Sequence, residues 1–234
     1  RIRLADDLRE ERSHSVSLSA DLYHTFGKVQ TNLLVEGFYT ILDDVFALRD
    51  MDDAADGGKV KERYNGSGAT VRGFNVEGRA AFTRWFELQA GVTLQQSRYK
   101  EPEFWSEDAE VPPVRRMFRT PDAYGYFTAS FKPVRNFTAD LSGTCTGSML
   151  VQHMAGSGVA QDVAVSTPSF FDMNIRLSYD VRIYKEITMQ LYGGVQNLFN
   201  AYQKDFDKGV DRDSGYIYGP SLPRSWFVGA KFSF

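Results

Sequence analysis

The chain has 234 residues, 27 Lys and Arg against 30 Asp and Glu, a formal net charge of −3, and 42% apolar and 14% aromatic side chains. That length allows one domain with a sizeable core. The charge leaves no basic footprint for nucleic acid, and no run of 18 apolar residues offers a membrane-crossing helix. The single cysteine, Cys145, excludes an internal disulfide and leaves the redox compartment open.

In chain order, side-chain alternation of period two predicts nine strands: 13–25, 29–41, 70–82, 85–99, 122–132, 136–150, 170–182, 186–198 and 223–234. In the first, Val16, Leu18, Ala20 and Leu22 oppose Ser15, Ser17, Ser19, Asp21 and Tyr23. The sixth sets Phe137, Ala139, Leu141, Gly143 and Cys145 against Thr138, Asp140, Ser142 and Thr144. The seventh is cleaner still, with Phe171, Met173, Ile175, Leu177, Tyr179 and Val181 on one face. Asp172, Asn174, Arg176, Ser178, Asp180 and Arg182 form its other face. The ninth carries Trp226, Val228, Ala230, Phe232 and Phe234 on one side of an extended segment. Many of these runs exceed both the ~5–6 residues of a soluble strand and the ~9–11 that cross a bilayer.

The connections alternate in length. Residues 26–28, 83–84, 133–135 and 183–185 are tight turns, whereas 42–69, 100–121, 151–169 and 199–222 are long. Loops beyond ~12–15 residues are uncommon in compact domains. Because every second connection is long, all long loops fall at one end of the sheet. Aromatics gather near strand ends at Phe26, Trp85, Phe86, Phe131, Phe137, Tyr184 and Phe234, as in an interfacial girdle. A soluble sandwich would also alternate, but strand length and loop asymmetry favour an antiparallel transmembrane β-barrel of the bacterial outer membrane. Such single-chain barrels have even strand numbers. Nine strands, with Arg1–Arg12 at the outer end and no initiator Met or leader, predict a piece of a larger barrel or a processed chain. On the lumen side, Arg72, Arg79, Arg176 and Arg182 are expected to pair with Glu36, Glu77, Asp172 and Asp180 or with a plug filling the barrel.

Catalytic patterns are missing: no nucleophile, base and orienting group come together in the sequence, so an enzyme is not expected. His14, His24 and His153 have no Cys or carboxylate at metal-ligand spacing. His153, beside Met154 in an outer loop, reads as a solvated histidine or as a haem contact. Two acidic runs, Asp43, Asp44, Asp50, Asp52, Asp53 and Asp56, and Asp205, Asp207, Asp211 and Asp213, offer carboxylates to calcium, although neither fits an EF-hand loop. The better candidate ligand surface combines rings and fixed cations at the outer ends: Tyr99, Phe104, Trp105, Arg115, Arg116, Tyr216, Tyr218 and Arg224. Such mixtures suit planar or anionic ligands.

Three segments resemble the TonB-dependent receptor family, whose barrels have 22 strands. Asp7-Leu-Arg-Glu-Glu-Arg-Ser13 is similar to the family's Leu-Lys-Pro-Glu-Lys/Arg-Ser segment, with Glu where Pro is usual. Val195-Gln-Asn-Leu-Phe-Asn200 followed by Tyr202 resembles its Val-x-Asn-Leu-Phe-Asp/Asn motif. Tyr218-Gly-Pro-Ser-Leu-Pro-Arg-Ser225 resembles its Pro-Arg-Thr/Ser entry to the last strand. The segments Lys204–Gly209 and Asp211–Tyr216 most resemble transporters of the Bacteroidetes group. The resemblance implies the last nine of 22 strands, a plug domain and a TonB-contacting segment lying upstream, and an assembly signal at Trp226, Phe232 and Phe234. It implies active uptake of a scarce nutrient (ferric siderophore, haem, cobalamin or a similar cargo), in contact with outer-membrane lipids and in some members with a surface lipoprotein. A passive porin, or a structural or adhesive barrel, is the alternative.

Overall fold

The computed structural model describes residues 1–51 and 60–233. In chain order its strands are β1 (Ile2–Leu4), β2 (Arg12–Phe26), β3 (Val29–Asp43), β4 (Phe46–Met51), β5 (Val60–Asn65), β6 (Ala69–Thr83), β7 (Phe86–Glu103) and β8 (Val114–Arg116). They continue as β9 (Ala123–Val134), β10 (Phe137–Thr146), β11 (Leu150–His153), β12 (Val163–Ser166), β13 (Phe170–Tyr184), β14 (Ile187–Gln196) and β15 (Ser225–Ser233). Nine of them form one antiparallel path in the order β15-β14-β13-β10-β9-β7-β6-β3-β2, with β8 added beside β7. These nine are the strands predicted from alternation, shifted by a few residues at their ends.

Register turns the sequence alternation into two chemically distinct faces. One row of directly opposed residues runs across the whole path: His24, Thr31, Ala80, Leu88, Ala129, Leu141, Ile175, Val195 and Trp226. The adjacent row, one residue along each strand, reads Tyr23, Asn32, Arg79, Gln89, Thr128, Ser142 and Asn174. Side chains on the first face, such as Leu18, Phe74, Leu177 and Trp226, are exposed although apolar. Water would penalise that surface; a bilayer accepts it.

Three of the four short connections are tighter than predicted, and the turn expected at 83–84 lies one residue further on. Each has only two residues between strands: Gly27–Lys28, Arg84–Trp85, Arg135–Asn136 and Lys185–Glu186. Two-residue hairpins favour positive φ because that twist matches the flanking strands; Gly27 has φ 62° and Lys185 φ 43°. Pro133, expected in a turn, is instead the penultimate residue of β9, opposite the register shift between Phe137 and Ala139, where a missing N–H is tolerated.

The predicted long loops are not loops throughout. The segment 42–69 carries β4 and β5, to which β1 adds in parallel, making a three-stranded outer sheet. The predicted strand 136–150 stops at Thr146, and Leu150 begins the β11–β12 hairpin.

The expected lumen ion pairs are also corrected. Arg176 donates to Gln190 Oε1 at 3.1 Å and lies 4.6 Å over the Tyr192 ring. Arg182 donates to the Lys185 carbonyl at 2.6 Å, and Arg79 binds Glu87. Asp180 accepts from Gln190 Nε2 and Glu36 from Asn75 Nδ2, each at 2.9 Å. Neighbouring strands set most of these partners, and except at Arg79 an amide, a ring or a backbone carbonyl stands where an opposite charge was expected. Arg72 is not on the lumen face at all. It stands opposite Tyr39 and Gln96, in the row that includes Val16.

Glycines face aromatics across several strand pairs. Gly143 opposes Phe127, Gly91 opposes Tyr126, Gly194 opposes Phe227 and Gly229 opposes Tyr192. Each ring lies over the site where a glycine Cβ would stand, so these close approaches require the missing side chain.

Candidate functional site

The long-loop end of the sheet is a cap in which four loop segments interlock. Its interior is a small core of Val151, Tyr216 and Tyr218, with Met149, Val165 and Phe170 packed against it. Tyr216 is 3% and Tyr218 7% exposed, an uncommon depth for phenols unless their hydroxyls are satisfied. Both are. Tyr216 OH donates to Asp205 Oδ2 at 2.7 Å and Tyr218 OH to Asp205 Oδ1 at 2.5 Å. Gln203, also buried, donates to the Tyr216 carbonyl at 3.1 Å and accepts from the Tyr218 N–H at 3.0 Å.

His153 closes this group from β11. It is buried, and its ring stacks on Tyr216 with centroids 3.7 Å apart at 3°. Its Nε2 lies 3.0 Å from Asp207 Oδ1. The solvated histidine expected from sequence is therefore a packed one. Asp207 Oδ2 accepts from the Asp213 N–H at 3.0 Å, and Asp213 accepts from the Met154 and Gly215 N–H groups at 2.8 and 2.7 Å.

These contacts set the electrostatics. Burial alone raises the Asp205 carboxyl, but the hydrogen bonds from Tyr218 and Tyr216 outweigh it and hold the group below the usual range. Asp207 is likewise lowered, first by the Asp213 N–H, against burial, and then by His153. Burial and then the bond to Asp205 push Tyr218 up to about 12, and Tyr216 is raised for the same reasons.

Two further side chains anchor the cap. Asn197 has φ 50° and is buried. Its Nδ2 donates to the Ala201 and Leu222 carbonyls at 2.9 and 2.8 Å, and its Oδ1 accepts from the Ala201 N–H at 2.8 Å. An amide that donates twice and accepts once while in the left-handed region is a demand that Asn meets well. Arg119, also at positive φ, reaches the Gly215 and Ile217 carbonyls, tying the second long segment to the fourth. Ser106 donates to Asp162 at 2.6 Å and Gln161 to Asp108 at 2.9 Å, joining the second segment to the third as well.

Beside this core lies a cleft of about 480 Å³ between the outer sheet and the β7 end. Phe46, Leu48, Tyr99, Phe104, Trp105, Phe118 and Met154 line it, with Lys61 and Glu103 as its charged groups. Trp105 packs edge-on to Phe118 at 5.3 Å, and its Nε1–H donates to the Pro112 carbonyl at 3.3 Å.

The structure thus brings Tyr99 and Trp105 together in the cleft, and His153, Tyr216 and Tyr218 together inside the loop core. Arg115 and Arg116 are neighbours on β8. Arg115 is exposed 3.5 Å from Glu101; Arg116 donates to the Ser148 carbonyl at 2.6 Å and lies 3.1 Å from Asp122. Arg224 stands apart, exposed, with its backbone N–H held by Asn200 Oδ1. Trp226 and Phe232 sit exposed on the apolar face, while Phe234 is outside the described residues. Asp52, Asp53 and Asp56 of the first acidic run also lie outside them. Among the described residues, no three His, Cys, Asp or Glu side chains converge where a metal would sit. Sequence reasoning missed Asp205 as the acceptor shared by two tyrosines, Gln203, and Arg119. The Tyr216-x-Tyr218 spacing, eleven and thirteen residues after Asp205, was the available signal.

Long strands with one lipid-compatible face, two-residue turns at one end and an interlocked cap at the other define part of an outer-membrane β-barrel. Residues 3–198 match the family described as TonB dependent receptor-like, beta-barrel, and the chain belongs to that family of outer-membrane receptors, which are not enzymes. No curated protein matched. Among solved structures, the ferric-catecholate import receptor Fiu from E. coli in its closed form aligns with TM-score 0.64 at 18% identity, covering 97% of this chain and 28% of that one. A ferric enterobactin receptor mutant from Pseudomonas aeruginosa, in complex with enterobactin, gives TM-score 0.64 at 14% identity, covering 98% and 32%. The copper transporter OprC gives 0.61 at 14%, covering 98% and 32%. The chain therefore spans less than a third of the length of these receptors, and the likeness shows the fold.

Proposed function

We propose that this chain is the C-terminal part of the barrel of a TonB-dependent receptor that captures a metal chelate or similar scarce nutrient for energised uptake. In this reading an upstream plug closes the barrel, and a segment before it contacts TonB. The aromatic cleft beside Tyr99 and Trp105 is the observation that carries the reading. It offers stacking faces with Lys61 at the edge, on the side of the sheet where the long loops gather. Such a site favours planar, anionic cargo, and receptors of similar fold are described as ferric-catecholate and ferric enterobactin receptors. Arg115, exposed on β8, adds fixed charge near the approach. His153, Tyr216 and Tyr218 serve by holding the loops that shape the cleft.

The test is uptake of a labelled ferric catecholate by cells making the complete receptor, with and without TonB. Uptake that needs TonB and falls with Trp105→Ala supports the proposal. Uptake that persists without TonB favours a passive porin, and no uptake or binding of any chelate favours a structural barrel.

A further inference from the structure

Charge is distributed unevenly along the aromatic cleft. Past Trp105 it adjoins a second cavity of about 520 Å³, and the two share Leu48, Lys61, Phe104, Trp105 and Met154 as walls. The second cavity adds Arg49 and Glu107 to Lys61, whereas the first holds Glu103, the last residue of β7. Trp105 thus stands between an end that carries two cations and an end whose own charged group is an acid.

The cations are matched within the protein. Lys61 Nζ lies 3.8 Å from Glu107, and Arg49 is bound to Glu62 at 2.5 Å while lying 4.9 Å over the Tyr64 ring. Glu103 has no such match: among the described residues its carboxylate forms neither an ion pair nor a hydrogen bond. It is half-buried, and that burial raises its carboxyl above the usual range. Its charge in turn adds to the burial that raises the Tyr64 and Tyr99 hydroxyls. The carboxylate is nonetheless left uncovered on one side. Its Oε2 stands 3.8 Å from the place a Cβ of Gly66 would take, so any side chain at that position would rest against it.

The rings beside Glu103 are open as well. Among the described residues, Arg63 lies over Phe46 and Arg49 over Tyr64, but no cation lies over Tyr99, Phe104 or Trp105. A partly desolvated carboxylate among open ring faces attracts an organic cation twice, through its own charge and through the ring quadrupoles. The same carboxylate repels a ligand that is anionic throughout. We propose that Glu103 makes the cleft selective for cargo with a cationic arm. An ammonium or guanidinium group enters between Glu103 and the faces of Tyr99, Phe104 and Trp105, while the planar anionic chelate lies toward Lys61 and Arg49. This inference rests on the cargo reading of the cleft and narrows it from anionic chelates to zwitterionic ones. It also sets which way round the cargo lies, because the two ends of the cleft carry opposite charge.

The experiment is titration calorimetry of the complete receptor in detergent with two probes. One is a ferric tris-catecholate bearing a primary ammonium arm, and the other is the same chelate with that amine acetylated. The ammonium form should bind about tenfold or more tightly, as gain of a charge-assisted contact would give. Glu103→Gln should erase the difference by weakening the ammonium form alone, and Glu103→Asp should keep part of it. Heat-modifiable migration checks that each variant is folded. Equal binding of the two probes by the unaltered receptor, or a preference that survives in Glu103→Gln, would overturn the proposal and leave the cargo reading standing. Binding of neither probe would remove the cargo reading, and this inference with it.

Discussion

Replacing Asp205 by Ala should loosen the loop cap without unfolding the barrel. The substitution strips the acceptor from two hydroxyls whose residues are 3% and 7% exposed. An unsatisfied buried polar group costs roughly 1–3 kcal/mol, so two cost at least about 2 kcal/mol even if each takes the lower bound. That figure corresponds to a ~30-fold rise in the open population of the cap. Asp205→Asn keeps one carbonyl acceptor and should show about half the free-energy effect. Hydrogen exchange of the segment 199–222, followed on the receptor in detergent, reads this directly. Amides of β13 and β14 should be unaffected, because their ladder does not pass through Asp205. Unchanged exchange of Tyr216 and Tyr218 in the Ala variant would refute the view that this carboxylate organises the cap.

The remaining predictions concern strand packing, the two faces and pH. Gly194→Ala should abolish the heat-modifiable folded form, since a methyl there overlaps the Ile175 carbonyl and the Phe227 ring, whereas Gly78→Ala, with open space around its Cβ, should fold normally. Leu191→Arg, on the apolar face between Tyr179 and Ala230, should lower stability in lipid by about 2–4 kcal/mol, measured by refolding titration; Gln190→Lys, one residue along and beside Asp180, should cost far less. The cap should also weaken at alkaline pH. Tyr218 is raised to about 12 in the folded state against an ordinary value of ~10. Its contribution is therefore complete below pH ~10 and is lost as pH rises toward 12. Tyrosinate absorbance should then rise together with exchange of the 199–222 amides, and ionisation without loosening would count against the coupling.

Much of the fold was legible because a lipid-facing strand must alternate. Residues 171–182 could be assigned to faces from sequence alone, and β10 and β13 then met in the register that places Leu141 beside Ile175. What alternation could not supply was structure outside the bilayer. The outer sheet of β1, β4 and β5 depends on Glu62, buried and bound by Arg49 at 2.5 Å, and local sequence gives no sign of that partner. Ion pairs across the lumen failed for a related reason. Composition shows which charges exist, but register decides which ones meet. Arg72 and Arg79 are seven residues apart, an odd number, so they could never share a face of one regular strand. At the cap, Tyr216 and Tyr218 were noticed for their chemistry, yet their burial depended on Asp205, His153 and Val151, which come from distant parts of the chain.

The glycine–aromatic notches bear on how such a sheet reaches the correct alignment. If one strand slides by a single residue past its neighbour, the two faces trade places, and Arg79 or Asp140 would point into hydrocarbon. The bilayer itself rejects that error. A slide of two residues preserves the faces, and solvent chemistry cannot detect it. It would, however, lift Phe127 off Gly143, Tyr126 off Gly91 and Tyr192 off Gly229, and set each ring against a residue with a side chain. The notches therefore act as a vernier scale. Polarity proofreads odd offsets during insertion, and the fit of rings into glycines proofreads even ones.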